Sequence, residues 1–170
     1  GWNLYEGTWY YCDSSGSSCH GWINAGGSWY YLDPSTGAMR TGWIEDGALR
    51  YFLDESGAMR TGWLYDSGHW YFLEPSGSMA TGWKWLGSWY YLGSDGVMAS
   101  GWLSLNGSWY YLNSSGAMQT GWLAYCGSWY LLDSTGLMRT GWSYDAGAWY
   151  YMASSGAMKT GWLLDGGAWY

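Results

Sequence analysis

Pairs of tryptophans six or seven residues apart recur along this chain, among them Trp2 and Trp9, Trp22 and Trp29, Trp63 and Trp70, Trp83 and Trp89, and Trp122 and Trp129. Their chemistry is that of ring faces. The face of an indole or phenol is electronegative and attracts a cation, each close contact contributing about 0.5–2 kcal/mol. A cation with no N–H to donate depends on such faces for specific recognition. They are abundant here, with 18 Trp, 18 Tyr and 2 Phe in 170 residues, and the formal charge of −7 from 13 acidic and 6 basic residues suits a cationic ligand. The same balance argues against nucleic acid as a partner, because phosphate backbones need clustered Lys and Arg.

Other chemistry has little to stand on. Glycoside cleavage needs two carboxylates at a set separation. The acidic residues here, such as Glu45, Asp46, Asp54 and Glu55, fall at turn positions that favour Asp on backbone grounds alone. His20 and His69 have no partners at metal-ligand or triad spacing. The chain is therefore expected to be no enzyme and to hold no cofactor and no metal. No apolar run approaches the roughly 20 residues of a membrane span, so no transmembrane helix is expected.

Something must position the rings, and the sequence supplies a repeat. Gly-Trp pairs place Trp2, Trp22, Trp43, Trp63, Trp83, Trp102, Trp122, Trp142 and Trp162 at intervals of 19 to 21 residues. A second aromatic block follows each, as in Gly107-Ser108-Trp109-Tyr110-Tyr111-Leu112, then a polar Gly turn and a run such as Met118-Gln119-Thr120-Gly121. The unit reads G-W-x4-G-x-W-Y-Y-L-x3-G-x-M-x-T. Two short aromatic stretches around a Gly turn leave no room for a helix and predict a β-hairpin. A lone hairpin is marginal in water, so each must lie against its neighbours. The expected fold is all-β, a solenoid of about nine stacked β-hairpins over residues 1–170. Along a second strand Trp109 and Tyr111 share one face, and Tyr110 and Leu112 the other.

This unit resembles the choline-binding repeat of Gram-positive bacterial cell-surface proteins and cell-wall hydrolases. The resemblance runs from Gly1 to Tyr170 and rests on three turn glycines, two tryptophans, a Tyr-Tyr pair, Met and Thr at fixed offsets. It implies a left-handed superhelix, with choline held between successive hairpins by two Trp of one and a Tyr of the next, often beside a Met. It also implies a secreted anchoring module at the cell wall or cell surface, whose partner is choline or phosphocholine on teichoic acids. A catalytic or adhesin domain would lie outside these residues.

Carried over residue by residue, with the Tyr taken as the last ring of its block, the resemblance implies five boxes. They are Trp2 and Trp9 with Tyr31, Trp22 and Trp29 with Phe52, Trp63 and Trp70 with Tyr91, Trp83 and Trp89 with Tyr111, and Trp122 and Trp129 with Tyr151. Met79, Met98 and Met138 are expected beside the last three. Three further positions depart from the pattern. Trp43 has Arg50 where the second Trp belongs, and that charge opposes a cationic ligand. Trp102 and Trp109 would meet Leu131, and Trp142 and Trp149 would need a residue past Tyr170.

Blander readings stand beside these. Any one ring could simply fill the hairpin stack, and Met is a habitual gap filler. Arg40, Arg60, Arg139 and Lys159, each directly after a Met, read as solvated loop positions. A glucan or other carbohydrate is the rival ligand, and a ligand-free structural stalk is the third reading. Polar positions vary between repeats while the aromatics recur, which favours the cation, because a sugar's hydroxyls call for fixed polar partners. Cys12 and Cys19 bracket the first polar turn, where a disulfide would suit an exported protein and close the terminal repeat. Cys126 is left as a free thiol. The chain begins in repeat phase and stops inside a ninth unit, at Trp169-Tyr170, so it is expected to be a segment of a longer array.

Overall fold

The computed structural model describes residues 1–170. It contains eighteen strands and no helix, and consecutive strands pair antiparallel with each other alone, giving nine two-stranded sheets. The first four hairpins are β1 (Trp2–Tyr5) with β2 (Thr8–Tyr11), β3 (Gly21–Ala25) with β4 (Ser28–Leu32), β5 (Gly42–Asp46) with β6 (Leu49–Leu53), and β7 (Gly62–Asp66) with β8 (His69–Leu73). The fifth is β9 (Gly82–Trp85) with β10 (Trp89–Leu92). The last four are β11 (Gly101–Leu105) with β12 (Ser108–Leu112), β13 (Gly121–Tyr125) with β14 (Ser128–Leu132), β15 (Gly141–Asp145) with β16 (Ala148–Met152), and β17 (Leu164–Asp165) with β18 (Ala168–Trp169). The chain divides into two compact units, residues 1–82 with 92–98, and residues 83–91 with 99–170.

Tight turns set the register. In the sixth hairpin Leu105 pairs with Ser108, leaving Asn106 and Gly107 as a two-residue loop with φ of 50° and 81°. Positive φ at both residues is the type I′ turn, whose twist matches the strands it joins. Glu6, Ser67, Cys126 and Ala146 adopt the same left-handed backbone without being glycine, at a cost of about 1–2 kcal/mol each. Hairpin pairing offsets that cost.

Within each unit the hairpins are stitched by the segment around Met. In the first unit Met39, Met59, Met79 and Met98 donate their N–H to the carbonyls of Trp9, Trp29, Arg50 and Trp70 in the preceding hairpin, at 2.7–2.8 Å. In the second, Met118, Met138 and Met158 do the same to Trp89, Trp109 and Trp129. Each of these methionines also bridges the last residue of its own second strand, as in Leu53 with Met59 and Leu132 with Met138. Some of the backbone groups that a two-stranded sheet leaves unpaired at its edges are thereby satisfied.

The core is correspondingly serial. Leu32, Leu53, Leu73 and Leu92 are fully buried in the first unit, and Leu112, Leu132 and Met152 in the second. Each contributes about 1.5–3 kcal/mol by leaving water. The polar turn then folds over the preceding methionine. A Cβ on Gly136, whose φ is +84°, would stand 2.5 Å from Met118 Sδ, so that position is restricted by both backbone and space. Gly57, Gly77, Gly96 and Gly156 cover Met39, Met59, Met79 and Met138 in the same manner.

Candidate functional site: aromatic boxes between hairpins

Pairing fixes which side chains can meet. Trp102 lies opposite Tyr111 and Leu103 opposite Tyr110, so Trp102, Trp109 and Tyr111 share the front of the hairpin and Leu103, Tyr110 and Leu112 its back. The front of one hairpin receives the back of the next. Trp102 accordingly stands between its own Tyr111, 5.2 Å away, and Tyr130 of the following hairpin, 4.9 Å away. Trp109 stands 6.4 Å from Trp102 at 80°, making a corner that Tyr130 closes on a third side. Met138, Ser154 and Ser155 complete the walls of a cavity of about 430 Å³.

The same box recurs. In the first unit Trp22 meets Tyr51 at 4.8 Å, and Trp22, Trp29, Tyr51, Met59, Pro75 and Ser76 enclose about 400 Å³. Trp2 stands 6.4 Å from Trp9 and 4.8 Å from Tyr30, and Trp63 6.2 Å from Trp70. In the second unit Trp83 meets Trp89 at 6.4 Å and Tyr110 at 5.0 Å. Trp122 meets Trp129 at 6.4 Å and Tyr150 at 4.7 Å, and Trp142 meets Tyr170 at 4.9 Å. Rings this close to one point leave a space lined by π faces and a thioether, with the second Trp about half exposed as a solvent-facing wall. Such a space suits a rounded cation that needs no hydrogen bond.

One box already contains a cation. The Arg50 guanidinium carbon lies 4.8 Å from the Trp43 ring centroid, with Tyr71 4.9 Å from the same Trp. Arg50 Nη1 reaches Met79 Sδ at 4.0 Å, and Arg50 Nε lies 3.8 Å from Glu45. The side chain sits where the second Trp wall and a ligand would be, so this box is filled from within.

Comparison with known proteins agrees with the geometry. The sequence profile described as a choline-binding repeat matches residues 1–42, 40–83, 80–118 and 100–139, and a second profile, for cell wall binding repeats, matches residues 140–158. The chain belongs to the choline-binding repeat family. No curated protein sequence matches it. Among solved structures, choline binding protein F from Streptococcus pneumoniae is 44% identical with a TM-score of 0.86, over 93% of this chain and 57% of that one. The same protein solved in complex with ipratropium is 40% identical (TM-score 0.83, 95% of this chain, 62% of that one). CbpJ from Streptococcus pneumoniae TIGR4 is 33% identical, with a TM-score of 0.77 over 99% of this chain and 84% of that one. This chain thus spans little more than half of choline binding protein F.

Within the choline-binding repeats, the structure changes the third ring expected from sequence. Tyr31, Phe52, Tyr91, Tyr111 and Tyr151 each lie 5.0–5.3 Å from the first Trp of their own hairpin, namely Trp22, Trp43, Trp83, Trp102 and Trp142. They support a box from below and do not close the preceding one. The closing ring is the middle of the block, Tyr30, Tyr51, Tyr110 or Tyr150, because only the back face of a hairpin meets the front of its predecessor. The box at Trp102 is therefore complete through Tyr130, with Leu131 pointing elsewhere, and Trp142 finds Tyr170 within the chain. The methionines move by one repeat. Met79 lies at Arg50, Met98 bonds Trp70, and Met138 lines the box of Trp102 and Trp109. Side-chain alternation separates the two rings of a block into front and back, and the stacking of hairpins decides which of them closes the preceding box.

Cys12 and Cys19 are separate thiols. Cys12 bridges Ser18, whereas the Cys19 N–H goes to the Tyr11 carbonyl, so the two cysteines are one position out of register and project to opposite faces. The basic residues after Met do more than the solvated-loop reading allowed. Arg40, Arg60 and Arg139 approach Asp33, Asp54 and Asp133 at the head of their own turn, at 3.4, 3.9 and 3.6 Å. These half-exposed pairs contribute about 0–1 kcal/mol each. The turn carboxylates also accept hydrogen bonds from the turn itself. Asp33 takes the Ser35 hydroxyl and the N–H groups of Ser35 and Thr36. Those bonds, led by Ser35, hold its carboxyl well below the ordinary range.

Proposed function

We propose that this chain is a non-catalytic cell-wall anchoring module that binds the choline of (lipo)teichoic acids in the boxes between successive hairpins. The observation that carries the reading is the box at Trp102, Trp109, Tyr130 and Met138: three rings and a thioether around one cavity, with Ser154 and Ser155 completing its lining and no charged side chain in it. A trimethylammonium group fits that chemistry. Three rings offer about 1.5–6 kcal/mol before the cost of association, and a millimolar site needs about 4 kcal/mol. Single boxes are weak, and the repeat compensates by engaging several cholines of one polymer. The relative solved with ipratropium, itself a quaternary ammonium compound, is in keeping with this ligand class. In this reading residues 1–170 are a segment of a longer array at the cell wall or surface. Any catalytic or adhesive work belongs to domains outside it.

The test is a titration followed by tryptophan fluorescence. Choline should perturb the emission in the millimolar range, and choline should release the protein from a quaternary-amine resin. Elution by salt at an ionic strength matched to the choline, or tighter binding of a glucan oligosaccharide than of choline, would defeat the proposal.

A further inference from the structure

The boxes share their rings and differ in what holds the first Trp. The Trp22 Nε1–H donates to Asp46 Oδ2 at 3.0 Å, Trp43 to Asp66 at 3.1 Å, Trp122 to Asp145 at 2.9 Å and Trp142 to Asp165 at 2.9 Å. In each case the carboxylate comes from the following hairpin, at the end of its first strand. Ile44 lies opposite Tyr51, so Asp46, two residues on from Ile44, shares the back face that supplies the closing ring. At the matching position the hairpins that close on Trp2, Trp83 and Trp102 carry Ala25, Leu105 and Tyr125.

We infer that Asp46 and Asp145 are affinity-determining positioning residues, which make the boxes of Trp22 and Trp122 bind a quaternary ammonium more tightly than those of Trp2, Trp83 and Trp102. The inference rests on the choline reading of the boxes. Two physical effects act in one direction. The carboxylate places a full negative charge at the edge of the box, and by accepting the indole N–H it pushes electron density toward the ring face that meets the cation. The boxes themselves offer a precedent. The one that contains a cation, the Arg50 guanidinium over Trp43, is built on an indole held by Asp66. A unit charge held behind the indole, at an effective dielectric between those of water and the protein surface, changes affinity by about 2- to 10-fold.

The experiment uses the full chain and two ligands of one shape, choline and its uncharged isostere 3,3-dimethyl-1-butanol. Crystals soaked at graded choline concentrations report each box separately, and solution titrations compare wild type with Asp145→Asn and Leu105→Asp. Asn keeps an acceptor for the indole N–H and removes the charge. The boxes of Trp22 and Trp122 should fill first. Asp145→Asn should weaken choline at Trp122 by about 2- to 10-fold and leave the uncharged isostere unchanged, while Leu105→Asp should raise choline occupancy at Trp83. If all boxes fill together, or if Asp145→Asn weakens both ligands equally, the aspartates are only structural and the inference fails alone. Choline absent from every box overturns the choline reading and the inference with it.

Discussion

At the scale of single residues, the two tyrosines of each aromatic block have separate duties that their adjacency conceals. Tyr130 closes a box on Trp102, and Tyr111 supports the same indole from within its own hairpin. Tyr130→Ala should therefore weaken choline at that box by about 0.5–2 kcal/mol, the value of one ring contact. Tyr111→Ala should show itself chiefly as a loss of about 1–3 kcal/mol in thermal stability. Site-resolved titration beside thermal melts separates the two, and equal effects in both assays would contradict the assignment. Arg50→Trp should open the filled box, where Tyr71 and Met79 stand ready, and add one choline to the binding stoichiometry. Thiol titration of the denatured, unreduced protein should count three thiols, since Cys12 and Cys19 face apart; a count of one would restore the bridge.

At the scale of the element, the repeated unit is a hairpin, a polar turn and a Met segment, and the turn is the part with the least freedom. Gly136→Ala meets both a left-handed backbone and Met118 beneath it. It should cost about 1–3 kcal/mol in thermal or denaturant unfolding. The turn also makes stability depend on acid. In Asp33, Asp13 and Asp54 hydrogen bonds from the turn, led by Ser35, Ser15 and Ser56, lower the carboxyl below its ordinary value. A folded-state value below the unfolded one means stability that is fully present above about pH 4, the unfolded value. That stability is lost as pH falls through the folded-state values. Melting temperature should fall below pH 4, and Asp54→Ala, which removes one such carboxylate, should lessen the fall. A variant that declines as steeply as the wild type would show that the turn does not carry the effect.

At the scale of the whole molecule, the proposed function rests on many weak boxes on one chain. Free choline should bind in the millimolar range, whereas a choline-bearing polymer that spans several boxes should bind about 10²–10⁴-fold more tightly through effective concentration. Surface plasmon resonance on immobilised polymer, competed with free choline, measures that ratio. A polymer no tighter than free choline would mean that its spacing does not match the repeat. The net charge of −7 adds long-range attraction to cationic groups, which screening should reduce without abolishing binding.

The hairpins, their glycine turns and their order were legible in the sequence, because period, turn chemistry and β-propensity are local properties that each repeat states for itself. The two tryptophans of a box were legible for the same reason: both lie in one hairpin, and their parity fixes a common face. The third ring was not. Whether Tyr110 or Tyr111 reaches the preceding indole depends on which face of one hairpin lies on its neighbour, and adjacent residues on a strand differ in nothing else. The stitching bond from Met138 to the Trp109 carbonyl, the Asp145 carboxylate on the Trp122 indole and the contact of Arg50 with the Met79 sulfur are likewise made between residues about 20 to 30 apart. They exist only once hairpins stack, so tertiary structure alone decided which ring closes a box and which box carries a charge behind it.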